Sequence, residues 1–246
     1  VEDPGVFAAT HALLGKLIER GSVQAVRIDH PDGLFDPARY FDMLQGLGNG
    51  ELYVLAEKIL SSQESLPKRW AVAGTTGYSF LNELNGLFIS RTDARRMLSA
   101  YAKLTGQIEP FEDVRCESKR LIMATAMASE LNVLAHALER IAEGNRRSRD
   151  FTLNSLRDTL TEVIAFFPVY RTYVDEHGWT PEDRAVVDQA ITRARRRNPA
   201  MESSLFDFFR EVMLPRSPEG TAMPEPWVND RRTGYPPADA DEARER

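Results

Sequence analysis

Val23-Gln24-Ala25-Val26-Arg27-Ile28-Asp29-His30 and Leu52-Tyr53-Val54-Leu55-Ala56-Glu57-Lys58 read as two short strands, each closing on a carboxylate. Side chains of a strand alternate between faces. Arg27 and Asp29 therefore share one face while Val26 and Ile28 take the other. In the second run Tyr53, Leu55 and Glu57 share a face, opposite Val54 and Ala56. Between the runs, His30-Pro31-Asp32-Gly33 is turn chemistry. Asp36-Pro37 then opens a helix through Tyr40, Phe41 and Leu44, stopped by the glycines from Gly46 to Gly50. An earlier helix opens at Asp3-Pro4, carries Val6, Leu13, Leu14, Leu17 and Ile18, and ends at Gly21. Helix, strand, loop, helix, strand predicts an α/β fold with a βαβ unit: parallel strands joined by a right-handed crossover. In a closed barrel of that kind reactive groups sit at the C-terminal ends of strands. Asp29 and Glu57 occupy those ends.

Trp70-Ala71-Val72-Ala73-Gly74-Thr75-Thr76-Gly77-Tyr78 reads as a further short strand entering a glycine-rich loop. From about Arg91 to Leu214 the pattern turns helical. Leu121, Ala124, Ala128, Leu131, Leu134, Leu138 and Ile141 follow one helical period, closed by Gly144-Asn145. Leu153, Leu156, Leu160, Val163, Ile164 and Phe167 mark another helix, stopped at Pro168. Thr180-Pro181-Glu182-Asp183 is a capping signature for a third, with Val186, Val187, Ala190 and Ile191 inward. Asn198-Pro199 separates it from Leu205-Phe206-Asp207-Phe208-Phe209. Residues 215 to 237 hold six of the fourteen prolines and read as an irregular loop. The expected organisation is a strand-bearing region over 1–90, a large helical insertion over 91–214 and a proline-rich return over 215–246.

The chain has 246 residues, 42% of them hydrophobic and 28% charged, an ordinary soluble globular balance. A formal charge of −6 gives no electrostatic reason to expect nucleic acid as a partner. No run of about 18 apolar residues points to a membrane span. The single cysteine, Cys116, excludes an intrachain disulfide and a cysteine-based metal cluster, and suits a reducing cytoplasm. Without an initial methionine, and with a helix-like charged run at Asp239 to Arg246, the sequence reads as a piece of a longer protein.

Two carboxylates facing one another from neighbouring strand tips suit retaining sugar chemistry, in which carboxyl groups roughly 5 Å apart serve as nucleophile and proton carrier. An arginine on the same face as the first acid favours its charged form. Taken singly, Asp29 is the first residue of a turn and Glu57-Lys58 a solvated pair at a strand end. Taken together, the matched positions favour catalysis. Asp29, His30, Asp32 and Asp36 fit neither an EF-hand loop nor a His-Glu-x-x-His helix, so metal binding is the weaker reading. His136 lies on an apolar helix as a core or boundary histidine, while His11 and His177 have no recognisable partner. Arg193-Ala194-Arg195-Arg196-Arg197 reads as a solvated helix end complementing the dipole. Trp70, Tyr78 and Phe80 suit either sugar stacking or core packing.

Val26-Arg27-Ile28-Asp29-His30 resembles the nucleophile strand of the α-amylase superfamily of glycoside hydrolases, and Leu55-Ala56-Glu57-Lys58 resembles its acid/base strand. Three longer stretches resemble one branch, the maltooligosyltrehalose synthases: VRIDHPDGL (Val26 to Leu34), AGTTGYSFLNELNGL (Ala73 to Leu87) and RDFTLNSLRDTLTEVIAFFPVYRTYV (Arg149 to Val174). The resemblance implies part of a (β/α)8 TIM barrel interrupted by a helical insertion. It implies an intramolecular transfer, an isomerase reaction of trehalose biosynthesis that turns the reducing-end glucose of a maltooligosaccharide or α-1,4-glucan into a terminal trehalose unit. On that reading Asp29 is the nucleophile and Glu57 the acid/base, with Arg27 orienting Asp29. His30, Lys58 and Tyr78 are further substrate contacts. No metal or redox cofactor is implied. Ser79 stands where the family usually has an aspartate, and the superfamily's third acid and its histidine motif are expected beyond Arg246 and before Val1. Alone, the piece is expected to be inactive. Competing readings are a plain α-glucan hydrolase or glucosyltransferase, and a non-catalytic helical interaction module.

Overall fold

The carboxylate of Asp3 accepts the amides of Gly5 and Val6 at 2.9 and 3.0 Å and so caps the first helix, α1 (Pro4–Glu19). A computed structural model describes residues 1–61, 64–175 and 178–215. The face α1 buries is narrower than its apolar spacing implies. Phe7 is its buried residue, whereas Val6 and Leu13, expected inward, are exposed. What fastens α1 is a local polar–aromatic anchor with α2 (Pro37–Gly46). Phe7 stacks on His11 at 4.1 Å and meets Tyr40 edge-on at 5.7 Å. His11 Nε2 lies 2.9 Å from the Tyr40 hydroxyl. His11 therefore has the partner that its own neighbourhood in sequence does not reveal. At α2, Asp36 Oδ1 accepts the Arg39 amide at 3.1 Å, and Tyr40, Phe41 and Leu44 are buried.

Three parallel strands follow the order β1 (Ala25–Ile28), β2 (Tyr53–Ala56), β3 (Gly74–Thr75). Ala25 pairs with Tyr53 and Ile28 with Ala56; Ala56 pairs in turn with Thr75. Val54 and Ala56 are wholly buried, while Tyr53 and Arg27 on the alternate face are open, as the two-residue period demands. Trp70 is 1% exposed and packs against Phe41 with ring centroids 5.1 Å apart. Of its two sequence readings, core packing is the one observed. The Gln45 side-chain amide donates to the Leu52 and Ala71 carbonyls, each at 2.9 Å, pinning the entry to β2.

After β3 the glycine-rich stretch is only a two-residue corner, Thr76-Gly77, and the chain then enters α3 (Tyr78–Gly86), a helix the sequence reading did not mark. Gly77, with φ at +101°, makes this strand-to-helix corner in a region that side chains with a Cβ avoid.

By contacts the chain divides at Ile89 and Ser90 into two compact units. The second contains α4 (Ala94–Thr105), α5 (Phe111–Thr125), α6 (Ala128–Glu143), α7 (Leu153–Phe166), α8 (Pro181–Arg197) and α9 (Ser203–Met213). The helix expected to run unbroken from Leu121 to Ile141 is instead two, α5 and α6, bent by 88°. The amides of Ala126 and Met127 both donate to the Ile122 carbonyl, at 2.9 and 3.0 Å, which ends α5 without proline or glycine. The bend lets each half lay its own face on α7. Cys116 and Met123 are buried from α5, and Ala135, Leu138 and Ala142 from α6. Leu121, Leu134 and Ile141, assigned to the same stripe by periodicity, are exposed. His136 is also solvent-facing, paired with Glu139 at 3.2 Å, rather than a core histidine. The capping box at α8 forms as its sequence predicts: Thr180 Oγ1 accepts the Asp183 amide at 3.1 Å, and Asp183 accepts the Thr180 amide at 3.0 Å. Among the described residues no single helix is long and apolar enough to cross a membrane. His177 and the region from residue 216 onward, where most of the proline-rich return was expected, lie outside the described residues.

The arginines near the end of α8 are not simply solvated. Arg193 reaches Glu112 at 2.9 Å, Arg197 reaches Asp113 at 3.2 Å, and Arg195 pairs with Asp207, joining α8 to α5 and α9. Arg120 grips Glu162 at 2.8 and 2.7 Å, and the Asn198 amide donates to the same carboxylate at 2.6 Å. Burial pushes Glu162 upward, but the Arg120 and Asn198 hydrogen bonds outweigh it and hold its carboxyl below the ordinary range. Hydrogen bonding from Arg210 likewise depresses Asp188. A carboxylate whose folded pKa is depressed stabilises fully above its unfolded pKa and loses that contribution as pH falls through the folded one. The stability these two pairs give the helical unit, read by amide exchange in α7 and α8, should therefore hold from neutral pH to about 5 and fall below about 4. Arg120→Met should cost about 1 kcal/mol at pH 7, and progressively less as the pH drops below about 4. A variant whose deficit is independent of pH would contradict this.

Candidate active site

The two acids end neighbouring parallel strands at the same level. The ladder pairs Arg27 with Leu55 and Ile28 with Ala56, and the Glu57 amide continues it by donating to the Ile28 carbonyl at 2.8 Å. Asp29 and Glu57 are thus the next pair in register, on the face that Arg27 and Leu55 share. On the far side of β2 the same row continues to Thr76, whose amide donates to the Ala56 carbonyl at 3.2 Å. Sequence alone does not single out Thr76, because its position in the row depends on the register of a two-residue strand. Its hydroxyl is shielded and has no hydrogen-bond partner among the described residues.

Arg27 Nη2 donates to Asp29 Oδ1 at 3.0 Å, and both side chains are largely open, at 61% and 70% exposure. Arg27 therefore steers Asp29 from its own strand while leaving the second carboxylate oxygen available to a ligand. Glu57 is half-buried on the middle strand, and its Oε2 accepts the His30 amide at 3.1 Å. That amide is aimed by an unusual backbone: His30 has φ 45° and ψ 52°, left-handed and not glycine. Such a conformation costs roughly 1–2 kcal/mol and persists where surroundings enforce it. The His30 imidazole lies across the turn Pro31–Gly33: a Cβ at Gly33 would sit 2.6 Å from His30 Cδ2, so a side chain there would have to displace the ring.

The remaining candidates divide. His30 is exposed on the rim beside both acids, and Tyr78 is exposed at the first turn of α3, beyond β3. Phe80 is exposed as well. Lys58, taken from sequence as a substrate contact or half of a solvated pair, is instead wholly buried. Its ammonium lies between Asp32 Oδ2 at 2.8 Å and Glu64 Oε1 at 2.7 Å, which turns it inward from the rim. Among the described residues no group of three or more histidine, cysteine or acidic side chains is arranged to hold a metal ion.

No protein-family model matches the chain. Over 88 residues it is 40% identical to putative maltooligosyl trehalose synthases from two strains of Mycobacterium tuberculosis, a match covering 36% of this chain and 12% of each relative. Maltooligosyltrehalose synthase from Arthrobacter ramosus superposes with a TM-score of 0.70 and 28% identity over 86% of this chain. A solved glycosyltrehalose synthase gives a TM-score of 0.59 and 26% identity over 87% of it. The chain spans 26% of each of those two solved chains. The resemblance to maltooligosyltrehalose synthases read from the sequence motifs is borne out by curated and structural neighbours alike.

Proposed function

We propose that the polypeptide carrying this chain rearranges the reducing end of maltooligosaccharides, replacing the last α-1,4 linkage by an α,α-1,1 linkage on a (β/α)8 barrel. The observation that carries this reading is the placement of Asp29 and Glu57 in one row at the tips of adjacent parallel strands. The similarity to synthases of this reaction supports it.

In the first displacement Asp29 attacks the anomeric carbon of the penultimate sugar. The bond to O4 of the terminal glucose breaks, and Glu57 delivers its proton to that oxygen. A glycosyl–Asp29 ester of β configuration and a free glucose result. The glucose stays in the pocket and turns over to present its own anomeric hydroxyl. Glu57, now a carboxylate, takes the proton of that hydroxyl as its oxygen attacks the anomeric carbon held by Asp29, and the Asp29 carboxylate leaves. Two inversions restore the α configuration, and the proton count closes. Arg27 keeps Asp29 aimed through their 3.0 Å contact, while His30 and Tyr78 would meet the sugar at the rim.

The alternatives to this rearrangement differ in product. The full-length polypeptide, given maltopentaose, should lower the reducing power of the solution without releasing glucose, and the product should carry a terminal α,α-1,1 linkage by proton NMR. Accumulating reducing sugar would replace the reading with hydrolysis, and longer and shorter glucans would replace it with intermolecular transfer.

A further inference from the structure

A buried ammonium is costly unless its charge is met by partners held in good geometry. Lys58 is 0% exposed, and the side chains of the two carboxylates flanking it, Asp32 and Glu64, are only 10% and 12% exposed. Asp32 belongs to the turn Pro31–Gly33 after β1. Glu64 belongs to the segment after β2, where its Oε2 accepts the Ser61 amide at 3.1 Å. One lysine thus ties together the chain segments leaving both acid-bearing strands. A second link joins the same two segments close by, since the His30 amide donates to Glu57 Oε2 at 3.1 Å.

Resting on the roles proposed for Asp29 and Glu57, we infer that Lys58 is a positioning residue for Glu57. Its ammonium holds the turn bearing Asp32 against the end of β2. This keeps the left-handed His30 backbone in place and its amide on the Glu57 carboxylate. Glu57 is thereby fixed in the row it shares with Asp29. The device acts on one acid more than the other. Asp29 takes its contact from Arg27 on its own strand, a contact that does not pass through Lys58. Loosening the clamp should therefore impair proton transfer by Glu57 while sparing attack by Asp29.

Two substrates separate these steps in the full-length polypeptide. Maltopentaose needs its leaving oxygen protonated; α-maltosyl fluoride does not, because fluoride departs unaided. Lys58→Met removes the clamp, and Asp32→Asn strips the charge from its β1 side alone, leaving at most a neutral hydrogen bond, with little change of shape. In each variant turnover of maltopentaose should fall about tenfold or more. The first stoichiometric burst of fluoride, which marks formation of the ester on Asp29 before Glu57 is needed as base, should change in rate less than about threefold. Melting curves by circular dichroism accompany each variant; should Lys58→Met fail to fold, Asp32→Asn carries the test. Equal losses on both substrates, or no loss in folded Asp32→Asn, would overturn the positioning role. A wild-type polypeptide that makes only reducing sugar would overturn the proposed function instead, leaving the contrast between the two substrates still readable.

Discussion

Asp29→Asn in the full-length polypeptide should abolish glucan rearrangement, with a loss of about ten-thousandfold or more. Glu57→Gln should cost about a hundred- to ten-thousandfold on the same substrate. The two losses differ in kind. Without Asp29 there is no covalent intermediate on any substrate. Without Glu57 the intermediate still forms wherever the leaving group departs without a proton, so Glu57→Gln should still release a first equivalent of fluoride from α-maltosyl fluoride and then stall at the ester, whose resolution lacks its base. Stereochemistry gives a sharper check. In Asp29→Ala, azide admitted to the vacated space attacks the fluoride directly, and a single inversion yields a β-azide. In Glu57→Ala, azide resolves the ester already made on Asp29, and two inversions yield an α-azide. Obtaining these anomers the other way round would exchange the roles of the two residues. Unchanged turnover in either would remove it from the chemistry.

The parts of this arrangement legible in the sequence are those encoded within a few residues. Asp3, Asp36 and Thr180 with Asp183 cap helices whose starts they mark, because a cap is a contact spanning two or three positions. The row of acids is legible because a strand's period fixes the face of Asp29 from Arg27 and that of Glu57 from Leu55. The pairing register then had only to match the two tips. Lys58 defeats a reading from sequence for the opposite reason. Lysine is ordinarily exposed, and the partner that makes its burial tolerable, Asp32, lies 26 residues upstream. The break between α5 and α6 has no local signature, because nothing from Leu121 to Glu143 is proline or glycine. The bend follows from packing two faces on α7, a tertiary demand that overrides local helix preference. The arginines of α8 were misjudged likewise, since their acids belong to α5 and α9.

The strongest consequence for stability concerns Phe206. Its side chain is 0% exposed, the Arg195 guanidinium lies 5.8 Å from its ring centroid, and it belongs to the helical cluster that includes Leu156, Val163, Val187, Ile191 and Phe209. Truncation to alanine loses the transfer energy of the ring and leaves a cavity that close-packed neighbours fill only in part, together about 3–5 kcal/mol. Against a typical net stability of about 5–15 kcal/mol, that is a large fraction. With two compact units in the chain, a single unfolding midpoint is not a well-defined readout. Amide exchange resolves them. Phe206→Ala should lower protection in α7, α8 and α9 by about two to four orders of magnitude, leaving β1 and β2 unchanged. Leu121→Ala should cost under about 1 kcal/mol, because Leu121 is 62% exposed despite sharing the helical period of buried Leu138. Equal losses at Phe206 and Leu121 would mean that periodicity, rather than the fold about α7, describes the core. Loss of protection in β1 and β2 as well would mean that the two units unfold as one, and that the acid-bearing strands depend on the helices for their order.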